Sequence, residues 1–260
     1  MKEEFSYKHI IIDEGQDFGQ SNIEENNIID SLRMLVLDND FNNGSFYIFY
    51  DKNQLIQGQK IPDYIADSDC KLTLYRNCRN TANIAKTSFR LLRNDKLPKL
   101  KENSIRGESP EMYIGTDKDI LLSALNKSID KDIEEGMENI VILTCLTEEK
   151  SIFADHLKEG YYKYNGKRYM FTTCRKFKGL EADAVIITDI NYNTFAEGDE
   201  KITYVGSSRA KYRLSLIVQM SEEECCDVLD IIGTKHGKRP AKSLAAAYNA
   251  KYIDLSAVTM

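Results

Sequence analysis

The chain has 260 residues, 42% of them hydrophobic and 29% charged, values that fit a soluble globular protein with room for one large or two modest cores. Its net charge of −6, from 35 basic and 41 acidic residues, excludes a generic nucleic-acid coat, so any nucleic-acid contact has to come from local basic groups. No apolar run is long enough for a membrane span or a secretory signal, and the expected location is the cytoplasm with no membrane partner.

Lys8 to Ile12 is a β-branched apolar run ending in acids, which predicts a strand buried on both faces. Residues 22–37 carry Ile23, Ile28, Ile29, Leu32, Leu35 and Val36 at helical spacing. Asn42 to Ser45 reads as a turn, and Phe46 to Tyr50 as a second strand ending at Asp51. Leu72 to Leu74 predicts a third short strand, and Thr81 to Leu92 a helix. Pro98, Arg106-Gly107 and Ser109-Pro110 make residues 94–110 a candidate boundary by composition. Beyond it, strands are expected at Met112–Ile114, Ile140–Thr144, 168–173, 184–188 and Leu214–Val218, and helices at 117–130, 147–158 and 203–211. After residue 221 the pattern is less regular, with Ser243 to Tyr252 as one more candidate helix. Strands alternating with helices imply an α/β fold with mainly parallel sheets.

Six scattered cysteines form no C-x-x-C pair and there are only three histidines, which argues against a zinc site and a disulfide framework. Local basic groups stand at Arg76, Arg79, Arg90 and Arg93, at Arg175, Lys176 and Lys178, and in the tail from Lys235 to Lys242. Such runs are commonly solvated faces and need a motif to mean more. Asp13-Glu14 and Asp51 follow predicted strands, where open parallel sheets bind ligands. Nucleotide hydrolysis needs a carboxylate to hold Mg²⁺ and a second group to orient the attacking water. Two adjacent acids suit that work, as they also suit the start of a solvated loop.

Five segments in chain order bear on this choice. Ile10 to Asp17 (Ile-Ile-Ile-Asp-Glu-Gly-Gln-Asp) resembles motif II of superfamily I helicases, whose usual form is D-E-A-Q-D. Phe49 to Gln54 is similar to motif III, Leu74-Tyr75-Arg76-Asn77-Cys78-Arg79-Asn80 to motif IV, Thr173 to Glu181 to motif V, and Tyr204 to Ala210 to motif VI. The chain thus resembles the C-terminal portion of a UvrD/Rep-type DNA helicase. The resemblance implies RecA-like, P-loop NTPase-type sheets: residues 1–75 as the back half of a first domain, 76–220 as a complete second domain, and 221–260 as a tail. Only residues 145–171 separate the predicted strand at 140–144 from motif V, which implies that the large accessory insertion is lacking.

The roles implied by the resemblance fall on individual positions. Asp13 would coordinate Mg²⁺ through water, and Glu14 would activate the hydrolytic water of ATP. Gln16 and Gln54 would sense the γ-phosphate, and Arg79 and Arg209 would reach it from the second domain as fixed guanidinium forks. Glu181 would bind the ribose, with Gly179 and Tyr75 also at the nucleotide, and Thr173 and Arg175 would lie along single-stranded DNA or RNA. A surface salt bridge is the ordinary alternative for each arginine, and the better one for Arg76 and Arg90.

Departures from the pattern are specific. Cys78 replaces the Tyr that stacks on adenine, Tyr50 replaces the motif III Gly, and Arg175 replaces a His. Leu55-Ile56-Gln57 lacks the aromatics that stack bases, and the chain has no Trp. No G-x-x-x-x-G-K-[ST] loop occurs, and Gly233 to Arg239 is one residue short of that spacing. The expected function is therefore part of an ATP-dependent helicase motor, translocating 3′ to 5′ and inactive alone. An upstream region or a separate chain would supply the phosphate loop. The rival readings are a non-catalytic nucleic-acid-binding or regulatory subunit, half of a split motor, and a small-molecule α/β enzyme using Asp13 and Glu14.

Overall fold

The structure is a computed structural model that describes residues 7–15, 18, 28–37, 44–51, 54, 65, 68–74, 76–92, 99–100, 103–196 and 200–255. The chain forms two compact units, Met1–Leu74 and Tyr75–Met260.

In the first unit, β1 (His9–Ile12) runs parallel to β2 (Ser45–Ile48), with Ile10 opposite Phe46 and Ile12 opposite Ile48. Parallel strands need a crossover, and α1 (Ile28–Leu37) lies within it, burying Ile29 and Val36. Beyond Ile12 the chain turns sharply. Phe49 N–H donates to the Ile12 carbonyl and Gly15 N–H to the Phe49 carbonyl, both at 2.8 Å. A Cβ on Gly15 would meet the Ile48 side chain, so the turn requires glycine there. Leu72 and Leu74 form no strand. They pair with no strand among the described residues and are 90% and 89% exposed.

The second unit opens with a small parallel pair, β3 (Arg76–Asn77) and β4 (Lys99–Leu100), and between them α2 (Ala82–Leu91). The main sheet comprises β5 (Glu111–Gly115), β6 (Ile140–Thr144), β7 (Leu157–Lys158), β8 (Tyr161–Tyr164), β9 (Lys167–Thr173), β10 (Ala182–Asn191), β11 (Ala210–Gln219) and β12 (Lys251–Ile253). Its order is β12-β5-β11-β10-β6-β9-β8-β7. All neighbours from β12 to β9 are parallel, whereas β7, β8 and β9 form an antiparallel meander. The remaining helices are α3 (Lys118–Glu134), α4 (Tyr192–Ala196), α5 (Glu200–Ser207), α6 (Glu222–Ile231) and α7 (Pro240–Ala247).

The near-continuous apolar runs of β10 and β11 are those of strands covered on both faces. On one face, α3 sets Leu121, Ala124, Leu125 and Ile129 against a layer that includes Tyr113, Ile142, Phe171, Ile186 and Ile217. On the other face, Ile187 approaches Gly206 of α5. Each fully buried aliphatic side chain contributes about 1.5–3 kcal/mol. Asp117 caps α3 by accepting the Ile120 N–H at 2.9 Å, and Ser221 with Glu224 closes a capping box on α6.

Strand β1, expected to be buried on both faces, alternates instead, with Ile11 68% exposed, as a strand covered on one face does. Three further expectations change in the second unit. Residues 147–158 are not one helix but two 3₁₀ turns, Glu148–Lys150 and Ala154–His156, followed by β7. The cause is buried Asp189, whose carboxylate takes the Ile152 N–H (2.9 Å) and the Ser151 hydroxyl (2.8 Å), a backbone donor that a continuous helix would need. The helix expected to 211 stops at Ser207, because the Asn80 amide binds the carbonyls of Ser208 and Ala210 and β11 begins at Ala210. Residues 243–252 are not one helix. Helix α7 ends at Ala247 and β12 then adds in parallel to β5, with Lys251 N–H donating to the Pro110 carbonyl at 2.7 Å.

Candidate functional site

In the first unit, Asp13 and Glu14 stand where β1 ends. Asp13 Oδ1 accepts the Glu14 N–H at 2.9 Å, and Glu14 adopts a φ of 52°. That left-handed backbone at Glu14 ends the extended conformation of β1. Gln54 is buried and its Nε2 donates to Asp51 Oδ2 at 2.9 Å. Gln16 lies outside the described residues, as does Tyr75. Among the described residues, no three His, Cys, Asp or Glu converge as a metal cage. A single exposed carboxylate at a strand end does fit a magnesium ion held largely by water, because Mg²⁺ keeps several waters and needs few protein ligands.

In the second unit, residues 77–80, 181 and 208–211 meet. Asn77 Oδ1 accepts the N–H of Arg79 (3.2 Å) and of Asn80 (3.1 Å), and Asn77 Nδ2 donates to Asn80 Oδ1 at 2.9 Å. That side-chain turn sets Asn80 to grip the Ser208 and Ala210 carbonyls at 3.0 and 2.6 Å, on either side of Arg209. Arg79 Nε pairs with Glu181 Oε2 at 3.2 Å, and Lys211 Nζ with Glu181 Oε1 at 2.7 Å. The hydrogen bond from Lys211, and then the charges of Lys211 and Arg79, hold the Glu181 carboxyl below the usual range. Arg209 is 1% exposed and its Nε donates to the Val205 carbonyl at 3.1 Å.

Thr173 and Arg175 lie at the other end of the sheet. They line a cavity of about 310 Å³ beyond the carboxyl ends of β6 and β9, with Thr144, Cys145, Thr147, Glu148 and Lys176. Thr173 Oγ1 accepts the Lys176 N–H at 3.1 Å. Lys176 pairs with Glu148 at 2.9 Å, which raises the lysine pKa, whereas Arg175 is exposed and has no ion-pair partner among the described residues. Buried Cys174 and Phe177 anchor the segment that follows, and Gly179, at a φ of 84°, turns it toward Glu181. One short segment thus links the cavity to the Arg79–Glu181–Lys211 cluster.

Residues 169–217 match the model of the family described as the UvrD-like helicase C-terminal domain. That stretch of the chain is thus similar to a UvrD-like helicase C-terminal domain. That match spans β9 to β11, including Thr173, Arg175, Gly179, Glu181 and Arg209. The chain is also similar to the C-terminal domain of a possible DNA helicase from Lactobacillus plantarum WCFS1, at 20% identity and a TM-score of 0.40, over 54% of this chain and 86% of that one. No curated protein matches.

Within the UvrD-like portion, the sequence reading missed Asp189. It is 2% exposed at a φ of 59°, and its Oδ2 also accepts the Thr144 hydroxyl at 2.6 Å and the Thr188 hydroxyl at 2.9 Å. It ties a cavity-lining threonine to the loop at 151–152. An acid inside an apolar strand run was its only sequence signal. Asn80 was missed too, although it stands inside a quoted motif. Arg90, expected as a surface salt bridge, donates to the Ala247 carbonyl at 3.1 Å and so satisfies the end of α7.

Proposed function

We propose that this chain is part of an ATP-dependent DNA helicase or translocase motor of the UvrD-like superfamily I, with a RecA-like second domain. The observation that carries the reading is the segment from Thr173 to Glu181. Its first end lines a cavity beside the exposed Arg175, and its second end joins a cluster of Arg79, Glu181 and Lys211. A short connection between a backbone-binding end and a phosphate-binding end offers a physical route for coupling ATP to nucleic acid.

Each residue has a definite task in this reading. Asp13 would hold a magnesium ion through water, and that ion would supply neutralising charge to the phosphates. Glu14 orients and deprotonates the attacking water. Arg79 and Arg209 bring fixed positive charge to the transferred phosphoryl group. Glu181 accepts a ribose hydroxyl, which requires it to release part of its ion pairing. Thr173 and Arg175 hold the phosphates of a single strand of DNA or RNA. No phosphate loop stands in the sequence, so a further polypeptide segment supplies it, and the chain alone does not turn over ATP. The cytoplasm is the setting proposed for it, and no helix among the described residues is long and apolar enough to cross a membrane.

The burial of Arg209 favours a second reading, a non-catalytic nucleic-acid-binding or regulatory subunit. ATP and oligonucleotide titrations separate the two. Under the motor reading, a non-hydrolysable ATP analogue shifts the affinity of the chain, joined to a phosphate-loop segment, for single-stranded DNA, and Arg175→Ala weakens that affinity. Binding indifferent to nucleotide in that joined form overturns the motor reading in favour of the subunit.

A further inference from the structure

The β7–β9 meander has one face fixed in the core. Tyr162, Tyr169 and Phe171 are buried, and the hydroxyls of Tyr162 and Tyr164 donate to Asn126 Oδ1 (2.6 Å) and Asp130 Oδ2 (2.7 Å) on α3. Two-residue turns set the register. Glu159-Gly160 and Asn165-Gly166 all have positive φ, as type I′ hairpins require. The alternation of a strand then places Lys158, Tyr161, Lys163, Arg168 and Met170 together on the opposite face, with Tyr161 paired to both Lys158 and Met170 and Lys163 to Arg168.

That face has an unusual charge for this chain. The whole molecule carries −6, yet these five positions hold three cations and no acid. Lys158, Lys163 and Arg168 are exposed, and none has an ion-pair partner among the described residues. The Arg168 guanidinium lies over the Tyr161 ring, its Cζ 5.1 Å from the centroid. Met170 is 40% exposed beside them. Buried tyrosines below make the platform rigid, and β9 runs from it directly to Thr173.

We propose that the outer face of this meander binds single-stranded nucleic acid, with Lys158, Lys163 and Arg168 on phosphates and Tyr161 and Met170 against bases. Cations without ion-pair partners, interleaved with an aromatic and a thioether, suit a flexible polyanion that also presents flat faces. An acidic protein partner fits less well, because such interfaces need a larger apolar centre than this patch offers. The proposal rests on the nucleic-acid role given to Thr173 and Arg175, and it extends that track sideways along the sheet.

The test is fluorescence anisotropy of labelled oligo-dT with the whole chain across a salt series. The double variant Lys163→Ala/Arg168→Ala, checked for an unchanged melt, makes the slope of log affinity against log salt less negative by about 1.4, from about 0.7 per lost contact on a single strand. Tyr161→Ala weakens binding and Tyr161→Phe restores it. If the wild-type chain does not bind oligo-dT, the platform and the role of Thr173 and Arg175 both fall. If Arg175→Ala weakens binding while the double variant keeps the wild-type slope, the platform alone is overturned. Displacement by polyglutamate at equal charge, with no preference for oligo-dT, overturns it in favour of an acidic protein partner.

Discussion

Asn80 shows how one side chain can hold two motifs together. Its amide reaches the carbonyls on either side of Arg209, in a buried setting where neither would find water. Asn80→Ala should therefore cost about 1–3 kcal/mol, the penalty of leaving buried acceptors unpaired. A urea midpoint equal to the wild type's would contradict that. Arg213 and Asp132 make a second buried contact, at 2.6 Å, with Glu108 on the far side of the guanidinium at 2.8 Å. Burial pushes the Asp132 carboxyl up to about 6, against the opposing pull of Arg213. Because this folded value exceeds the ordinary 3.8, the folded state keeps a proton that the unfolded state has lost. This carboxyl's contribution to stability consequently falls as pH rises from about 4 to about 6. Asp132→Asn removes that limb, so urea midpoints measured across the interval should decline less in the variant; parallel profiles would refute the assignment. The motif residues were readable from the sequence because their order is local and fixed. Asp189 was not, since its four donors come from 144, 151, 152 and 188, which only the folded sheet gathers.

The strands of the main sheet were legible because their apolar runs are long and bounded by polar residues. Of the meander only β9, expected at 168–173, was legible. Residues 147–158 have the composition of a helix, and nothing local reveals that Asp189 will take the Ile152 N–H. Asn165-Gly166 was the available signal, since Asn-Gly strongly favours a two-residue hairpin. Its weight can be measured. Gly166 has a φ of 71° and open space where a Cβ would stand, so Gly166→Ala meets backbone strain and no clash. It should lower stability by about 1–2 kcal/mol, with Gly166→Asn milder. Equal thermal melts for the wild type and Gly166→Ala would show that the turn does not set the register. The pattern after residue 221 was opaque for a different reason. Strand β12 spans only Lys251–Ile253, too short to show alternation, and is fixed by its parallel pairing with β5.

At the scale of the molecule, the chain pairs a UvrD-like portion over residues 169–217 with acids and arginines whose order resembles a helicase motor. The proposed motor lacks a phosphate loop in this sequence, so its chemistry depends on a supplied strand–loop–helix segment. ATP turnover is the direct measure of that claim. The chain is assayed with single-stranded DNA, alone and with a polypeptide bearing G-x-x-x-x-G-K-[ST] after an apolar strand. The account predicts no turnover by the chain alone, DNA-stimulated turnover on addition of that segment, and loss of it in Glu14→Gln and Arg209→Ala. Robust turnover by residues 1–260 alone, or turnover in the mixture that survives Glu14→Gln, would contradict it.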